Sequence, residues 1–314
     1  MIEYIKMARP DHWFKNVFML PGTTLALVML PGHHEHLYFS LILGLLSTCL
    51  IASANYVINE YLDAEFDKFH PVKKDRPSVV GLVNPTYVIL EYCILTIIGL
   101  AMAWVVGKLF LFFSVLLLIM GILYNVSPIR LKDLIYIDVL SESFNNPIRF
   151  FLGWHIVEKI YLPPSSILLA YWFGGAFLMA VKRYAEYSKI GDPMRAGRYR
   201  RSFQFYSQNS LLQSMFFYAM NAALFLGVFL VKYRIEFILC FPFIALLFTW
   251  YAGYGLNEDV AAENPEKLYR KWKFLLYIAL VVSLIIVLFF IDIPGLKFLM
   301  EKHIVSGTGI LSLP

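Results

Sequence analysis

The chain has 314 residues, of which 59% are hydrophobic and only 16% are charged, and its formal net charge at pH 7 is +5. A soluble globular domain carries nearer a quarter charged residues, so this composition excludes an ordinary water-soluble enzyme. Basic segments interleaved with aromatic residues do not stand out, and we expect no nucleic acid partner. Apolar runs long enough to cross about 30 Å of hydrocarbon recur along the whole sequence.

Nine apolar segments are predicted to be transmembrane helices, which makes the expected fold class all-α and integral to the membrane. The segments are 13–30, 37–59, 85–106, 108–126, 136–157, 163–187, 208–231, 235–256 and 273–292. With nine spans, most Lys and Arg residues fall on one side. The positive-inside rule then predicts a cytoplasmic amino terminus and a carboxy terminus outside. No soluble domain boundary is visible, and we expect one transmembrane domain over 1–314.

The second predicted span ends in a row of acidic and amide side chains. Asn59, Asp63 and Asp67 follow one another at four-residue intervals, with Glu60 beside the first. On a continuing helix this spacing predicts that the three share one face. Carboxylates along one face at a membrane border suit Mg²⁺, which keeps some waters and recruits substrate phosphates.

A basic turn follows this acidic row. Residues 70–77 hold Lys73, Lys74 and Arg76 between two prolines that stop the helix. Metal ligands followed by cations predict a diphosphate site in which Lys73 and Arg76 bind the donor. A helix end with solvated charges is the alternative interpretation of this stretch.

A second charged motif ends the sixth span. Lys182 and Glu186 are one turn apart and share a face, whereas Arg183 is expected to point to the side. Arg offers a bidentate fork to a phosphate group, and Lys offers a point charge. An ordinary basic helix end explains the same residues. The arginine-rich segment 191–201 that follows fits either a cytoplasmic lid or an anchor to anionic lipid.

The first two motifs together resemble the UbiA superfamily of intramembrane transferases. The similarity rests on N-[DE]-x-x-D-x-x-x-D followed by H-P-x-K-x-x-R-P, which runs here from Asn59 to Pro77. The resemblance implies helices arranged around a central cavity that opens to the cytoplasm and to lipid. It also implies Mg²⁺ as cofactor, with Asn59, Glu60, Asp63 and Asp67 as its ligands.

The remaining motifs are similar to one branch of that superfamily, the decaprenyl-phosphate phosphoribosyltransferases. That branch has K-R-x-x-E at 182–186, where prenyl-diphosphate-using branches usually carry a second aspartate-rich motif. Arg9-Pro10-x-x-Trp13-x-Lys15-Asn16 has its R-P-x-x-W-x-K-N form. Tyr124-Asn125 to Leu131-Lys132, with Asp138, looks like its Y-S-x-x-L-K-x-x-x-x-x-D segment, with Asn for Ser and two extra residues.

This branch implies a function as well as a set of site residues. The expected donor is phosphoribosyl pyrophosphate, the expected acceptor is a polyprenyl phosphate, and the enzyme is expected in a bacterial inner membrane with its active site on the cytoplasmic side. Membrane lipids are further expected partners. The implied catalytic residues are Asp63, Asp67, Lys182, Arg183 and Glu186. The implied substrate-binding residues are Arg9, Lys15, Asn16, Lys73, Arg76, Tyr124, Lys132, Asp138, Arg149 and Tyr184. Among these, Tyr184 and Glu186 are expected to face the sugar.

The fifth span departs from the pattern of that branch. Where the branch carries Gly-Phe-x-x-Arg, this chain has Ser-Glu-Ser-Phe-Asn-Asn-Pro-Ile-Arg over 141–149. Phe144 and Arg149 are candidate displaced equivalents, but the acid and the two amides are new. Polar residues within a span are costly and usually face an interior cavity. Hydrogen bonds to sugar hydroxyls and bridges between helices both explain Glu142 and its neighbouring amides.

Two other functions remain open at this point. A prenyltransferase would move a prenyl group from its diphosphate to an aromatic acceptor, but the missing second aspartate cluster argues against it. A polyprenyl-lipid carrier or flippase is kept open by Pro147 and the buried charges of the fifth span. The gathering of polar residues at one face of the membrane is unlike the midplane site of an alternating-access carrier.

Overall fold

The computed structural model describes residues 2–30, 32, 36–70, 73–257, 259, 262, 268 and 270–296. In that part of the chain every regular element is helical, which confirms the all-α fold class. The α-helices are α1 (Ile2–Ala8), α2 (Leu20–Met29), α3 (Leu37–Asp67), α4 (Pro85–Val106), α5 (Lys108–Asn125), α6 (Ile137–Ser143), α7 (Asn145–Val157), α8 (Ser165–Ile190), α9 (Pro193–Tyr199), α10 (Gln208–Tyr233), α11 (Phe241–Leu256) and α12 (Trp272–Phe290). Short 3₁₀ helices lie at Pro10–Met19, Lys73–Asp75, Leu131–Asp133, Arg201–Gln204 and Ile235–Cys240.

Seven helical segments among these residues are long and apolar enough to cross a membrane. They are α3, α4, α5, α8, α10, the segment Ile235–Leu256 that ends in α11, and α12. Helices α4 and α12 bury only 17% of their apolar windows inside the protein. Most of their apolar surface therefore faces outward, as expected of helices in lipid. The protein is a multi-pass integral membrane protein.

The first and fifth predicted spans are each divided into two shorter pieces. A 3₁₀ helix leads into α2 over the first, and α6 is followed by α7 over the fifth. Pro21 and Pro147 each lie in the first turn of the second piece, where the missing N–H is tolerated. The predicted count of nine membrane-spanning helices is therefore not confirmed.

These two divided spans pack against each other through glycines. A Cβ added at Gly22 would lie 2.1 Å from the carbonyl oxygen of Phe150, and one at Gly153 would lie 1.8 Å from that of Met19. Only glycine permits backbones to approach this closely. The hydroxyl of Thr23 donates to the Gly153 carbonyl at 2.8 Å, which fixes the pair.

Two apolar clusters form the largest parts of the core. One joins α3, α4, α5 and α7 around Phe110 and Leu152. The other joins α6, α8, α10, α11 and α12 around Phe177 and Tyr251. A cavity of about 1010 Å³ is lined by residues from both groups of helices.

Candidate active site

The cavity carries more basic than acidic side chains. Among the described residues, twelve Lys and Arg side chains line it: Lys6, Arg9, Lys15, Lys73, Arg76, Arg130, Lys132, Arg149, Lys182, Arg183, Arg200 and Arg201. Eight acidic residues line it: Asp11, Glu60, Asp63, Asp67, Asp75, Asp133, Glu142 and Glu186. The excess of cations makes the cavity complementary to anionic ligands.

The carboxylate of Asp63 on α3 is held by two cations from the 3₁₀ turn after α5. Its Oδ1 lies 2.8 Å from Arg130 Nη2 and 2.5 Å from Lys132 Nζ. The amide of Asn59 donates to its Oδ2 at 3.2 Å. Burial lowers the pKa of Lys132 to about 8, although the attraction of Asp63 opposes this shift.

The other two acids of α3 turn toward a different set of cations. Asp67 Oδ2 lies 2.5 Å from Arg76 Nη1, and Glu60 Oε2 lies 2.8 Å from Arg9 Nη2 and 4.0 Å from Arg76 Nε. Residues 59, 63 and 67 follow one another at about 40° around α3, and all three line the cavity. They share one face of the helix, but Asp63 and Asp67 contact different cations.

These residues fit Mg²⁺ only if a ligand supplies part of its coordination shell. The described residues contain no group of three or more His, Cys, Asp or Glu side chains that could hold a metal ion. Asp63 and Asp67, with the amide of Asn59, instead match an ion that takes one or two carboxylates and completes its shell with waters and phosphates. Glu60 Oε1 is buried and has no hydrogen-bond partner among the described residues, so one acceptor beside them is unused.

Arg183 lies at the centre of a second buried ion cluster. Its guanidinium contacts three carboxylates: Asp138 at 3.2 Å, Glu142 at 2.6 Å and Glu186 at 3.0 Å. Its side chain is only 2% exposed. The expectation that Arg183 points to the side and binds phosphate differs from this arrangement, since three protein carboxylates already occupy its donors.

Lys182, next to Arg183, has no such partners. It lines the cavity, and within the described part of the chain its ammonium group makes no hydrogen bond or ion pair. Glu186 is held on its other oxygen by Lys73 at 3.4 Å, and Lys73 also donates to the hydroxyl of Tyr199. Burial lowers the pKa of Lys73. Burial and the neighbouring Lys73 lower the pKa of His70 to about 3, so this imidazole stays neutral.

Most of the predicted site residues line the cavity, and three do not. Asn16 is buried behind the wall, where its Oδ1 accepts from Arg149 Nε at 3.0 Å. Asp138 is fully buried and orients Arg183. Tyr184 is almost opposite Lys182 on α8, because two residues correspond to about 200° of rotation, and it packs against the apolar clusters of Phe177 and Phe203. Its predicted contact with a sugar is therefore not supported.

Two arginines of the site adopt a backbone conformation unusual for any residue other than glycine. Arg9 has φ 48° and Arg130 has φ 34°, and each forms an ion pair with a carboxylate of α3. Non-glycine residues in this region cost free energy and cluster at functional sites. Sequence reasoning included Arg9 but missed Arg130, since nothing distinguished it from an ordinary positive-inside residue.

Tyr199 and Arg200 of the wall were also missed as site residues, and Glu142 was named only as a candidate for contacts to sugar hydroxyls or for bridges between helices. Arg200 is half-buried and donates to the Tyr124 hydroxyl at 3.4 Å. Tyr199 packs on His70 with ring centroids 4.6 Å apart, which joins the 191–201 segment to the basic turn. Glu142 accepts from Tyr124 at 2.7 Å. The only sequence signal for Tyr199 and Arg200 was the density of charge in segment 191–201, which fitted either a lid or an anchor to anionic lipid.

Comparison with known proteins identifies the family and the fold. Residues 19–278 match the sequence model of the UbiA prenyltransferase family. A UbiA homologue from Archaeoglobus fulgidus, solved bound to DMAPP and Mg²⁺, has the same fold with a TM-score of 0.69 at 21% identity. The superposition covers 91% of this chain and 98% of that one.

Curated relatives share a smaller part of their length. The decaprenyl-phosphate phosphoribosyltransferase of Mycobacterium tuberculosis is 31% identical over 186 residues, which is 58% of this chain and 59% of that protein. A protoheme IX farnesyltransferase of Alkalihalophilus pseudofirmus is 28% identical over 166 residues, which is 49% of this chain and 50% of that protein. The chain thus matches less than two thirds of the length of each.

Proposed function

The chain belongs to the UbiA prenyltransferase family, and from this premise we propose that it transfers a phosphoribosyl group from phosphoribosyl pyrophosphate to a polyprenyl phosphate. The reaction needs Mg²⁺ and releases diphosphate. The proposal includes a cytoplasmic active site, an amino terminus inside and a carboxy terminus outside. The similarity to decaprenyl-phosphate phosphoribosyltransferases supports this choice within the family.

One observation carries the choice of donor. The wall of α8 presents Lys182, with no partner among the described residues, beside a buried Arg183. A second acidic motif would bind a diphosphate only through further metal ions. A free ammonium group suits direct contact with an additional phosphate, such as the 5-phosphate of the sugar.

The acidic and basic groups of α3 and the following turn are proposed to hold the diphosphate. Asp63, Asp67 and Asn59 would coordinate Mg²⁺, which when bound neutralises charge on the leaving diphosphate. Arg76, Arg130 and Lys132 already lie against these carboxylates and would contact phosphate oxygens directly. Arg183, Asp138 and Glu186 would keep the opposite wall in position.

The chemical step we propose needs no strong protein base. A lipid phosphate monoester is ionised at neutral pH, so one of its oxygens attacks the anomeric carbon as the bond from that carbon to the diphosphate oxygen breaks. Lys15 and Arg149 line the cavity and would hold this acceptor phosphate. Cations that neutralise and orient two anions would supply most of the rate enhancement.

The direct test is to incubate the purified protein with polyprenyl phosphate and labelled phosphoribosyl pyrophosphate, with and without Mg²⁺. Label in the lipid fraction only when Mg²⁺ is present is the expected result. Label transferred from a prenyl diphosphate to an aromatic acceptor, with none from the phosphoribosyl donor, would favour the prenyltransferase function instead. Movement of lipid across a vesicle bilayer without any transfer would favour a carrier.

A further inference from the structure

Glu142 differs from the other carboxylates around Arg183 in having an oxygen to spare. Its Oε2 accepts from Arg183 Nη2 at 2.6 Å and from the Tyr124 hydroxyl at 2.7 Å. Its Oε1 makes no hydrogen bond or ion pair within the described part of the chain. The side chain lines the cavity and is 31% exposed. One oxygen is thus fixed by the protein while the other is offered to the cavity.

The other two carboxylates of the cluster are fully engaged. Asp138 accepts from Tyr206 on one oxygen, at 2.8 Å, and from Ser202 and Arg183 on the other. Glu186 contacts Lys73 with one oxygen and Arg183 with the other. Both side chains are at most 3% exposed. Two carboxylates thus pair with Arg183 without facing the cavity. The charge of Arg183 alone therefore does not explain why Glu142 does face it.

The chemistry of this oxygen restricts what lies against it. A carboxylate repels phosphate, and an isoprenoid chain packed on it would remove its water without replacing the hydrogen bonds, which is costly. A sugar hydroxyl donates a hydrogen bond to it, as ribose hydroxyls do to acidic residues in dinucleotide-binding folds. Asn146 also lines the cavity, where the absence of a side chain at Gly175 leaves room for its amide.

We propose that Glu142 is a specificity-determining residue that accepts a hydrogen bond from a ring hydroxyl of the donor sugar, with Asn146 beside it. This inference rests on the proposed function and deepens it, because it requires a hydroxylated donor. A diphosphate that carries only an apolar chain leaves Glu142 without a partner.

Asp138 provides a matched control for Glu142. Both carboxylates lie on α6, one turn apart, and both bind Arg183, but only Glu142 lines the cavity. Glu142→Gln and Asp138→Asn therefore remove the same charge from the same arginine. Glu142→Asp is a second test variant, which keeps the charge but withdraws the free oxygen.

The experiment measures binding by calorimetry on the full chain in detergent with saturating Mg²⁺. The probes are phosphoribosyl pyrophosphate, its 2-deoxy and 3-deoxy analogues, and inorganic diphosphate. In the wild type we expect at least one deoxy analogue to bind about tenfold more weakly than the parent donor. The ratio of the two affinities, parent donor to deoxy analogue, should fall close to one in Glu142→Gln and Glu142→Asp. The affinity of these variants for inorganic diphosphate should stay within about twofold of the wild type. Asp138→Asn should leave the ratio unchanged even if it lowers the melting temperature.

An equal ratio in the wild type and both Glu142 variants would overturn the inference, and so would a wild type without preference for the hydroxylated donor. A change in the Mg²⁺ requirement in place of the hydroxyl preference would assign Glu142 to the metal instead. Lipid labelling is measured separately. If the protein prefers the hydroxylated donor but transfers no label to lipid, the proposed function is refuted and the role of Glu142 stands. If label is transferred but the affinity ratio is the same in the wild type and the Glu142 variants, the role of Glu142 is refuted and the proposed function stands.

Discussion

Asp63 and Arg183 each lie at the centre of an ion cluster in the same cavity, but the two clusters have opposite charges at their centres. Asp63 is an acid held by two cations, Arg130 and Lys132, and it remains 16% exposed. Arg183 is a cation held by three acids and is 2% exposed. Basic side chains around a partly exposed acid can change partner and contact an incoming phosphate. A buried arginine enclosed by carboxylates cannot leave them without a large cost in free energy. We infer that the first cluster binds ligand and the second supports the wall.

The largest expected effect is the loss of Arg183. Arg183→Met leaves three carboxylates without their shared cation, and breaking such a buried cluster should cost about 3–5 kcal/mol of unfolding free energy. Arg130→Met should cost less, about 1.5–3 kcal/mol, because Asp63 keeps Lys132 and Asp133 keeps Arg201. Thermal unfolding in detergent compares the two variants. Equal destabilisation would show that the clusters do not differ in role.

The next largest effect is on activity. Asp63→Asn and Asp67→Asn should each lower turnover at least about 100-fold, which corresponds to about 2.7 kcal/mol of activation free energy, because each removes a proposed metal ligand. Both variants should remain folded, although Asp67→Asn also breaks a buried ion pair with Arg76 and should lower the melting temperature more than Asp63→Asn. Near-normal turnover in both variants would show that the acidic motif is not the metal site.

A smaller effect is expected at Lys182. Lys182→Met should raise the KM for the donor about tenfold, since it removes one charge-assisted contact to phosphate, with no loss of stability. Lys189→Met serves as control, because Lys189 lies on the same helix but is exposed and outside the cavity lining. If both variants behave alike, the effect belongs to general surface charge.

Lys15 should affect the acceptor more than the donor. We expect Lys15→Ala to raise the KM for polyprenyl phosphate a few-fold while that for the donor changes less, since one cation at the acceptor phosphate is lost. Steady-state kinetics with each substrate varied in turn measures the split. A loss confined to the donor would move the amino-terminal motif to the diphosphate side of the cavity.

The smallest effect is expected at Tyr184. Because this side chain packs in apolar clusters away from the cavity lining, Tyr184→Phe should change kcat/KM for the donor by less than about twofold. A tenfold loss would restore the sequence-based assignment of Tyr184 to the sugar.

The sequence was most informative where a single helix carries the pattern. The long apolar runs predicted seven helices, and only α3 continues well past its predicted end at residue 59. The spacing of Asn59, Asp63 and Asp67 placed them on this helix beside the cavity. The divided spans were predicted as single helices, because hydropathy averages over the breaks near Pro21 and Pro147. Their pairing through Gly22 and Gly153 depends on a contact more than a hundred residues apart in sequence.

The partners of each charge could not be predicted in the same way. Whether Arg183 meets phosphate or three carboxylates depends on how α6 packs on α8, and no local pattern encodes that distance. Arg130 became a site residue only because the turn after α5 folds back on Asp63. Helical periodicity predicts which residues share a face, but it does not predict which helix that face meets.

The most direct test of the proposed function is a competition between donors. The purified protein would receive equal concentrations of phosphoribosyl pyrophosphate and a prenyl diphosphate, together with polyprenyl phosphate, an aromatic acceptor and Mg²⁺, and mass spectrometry would identify the products. We predict a polyprenyl-phosphate product heavier by one phosphoribosyl group, formed only with Mg²⁺ and lost in Asp63→Asn. A prenylated aromatic compound as the sole product would contradict the account.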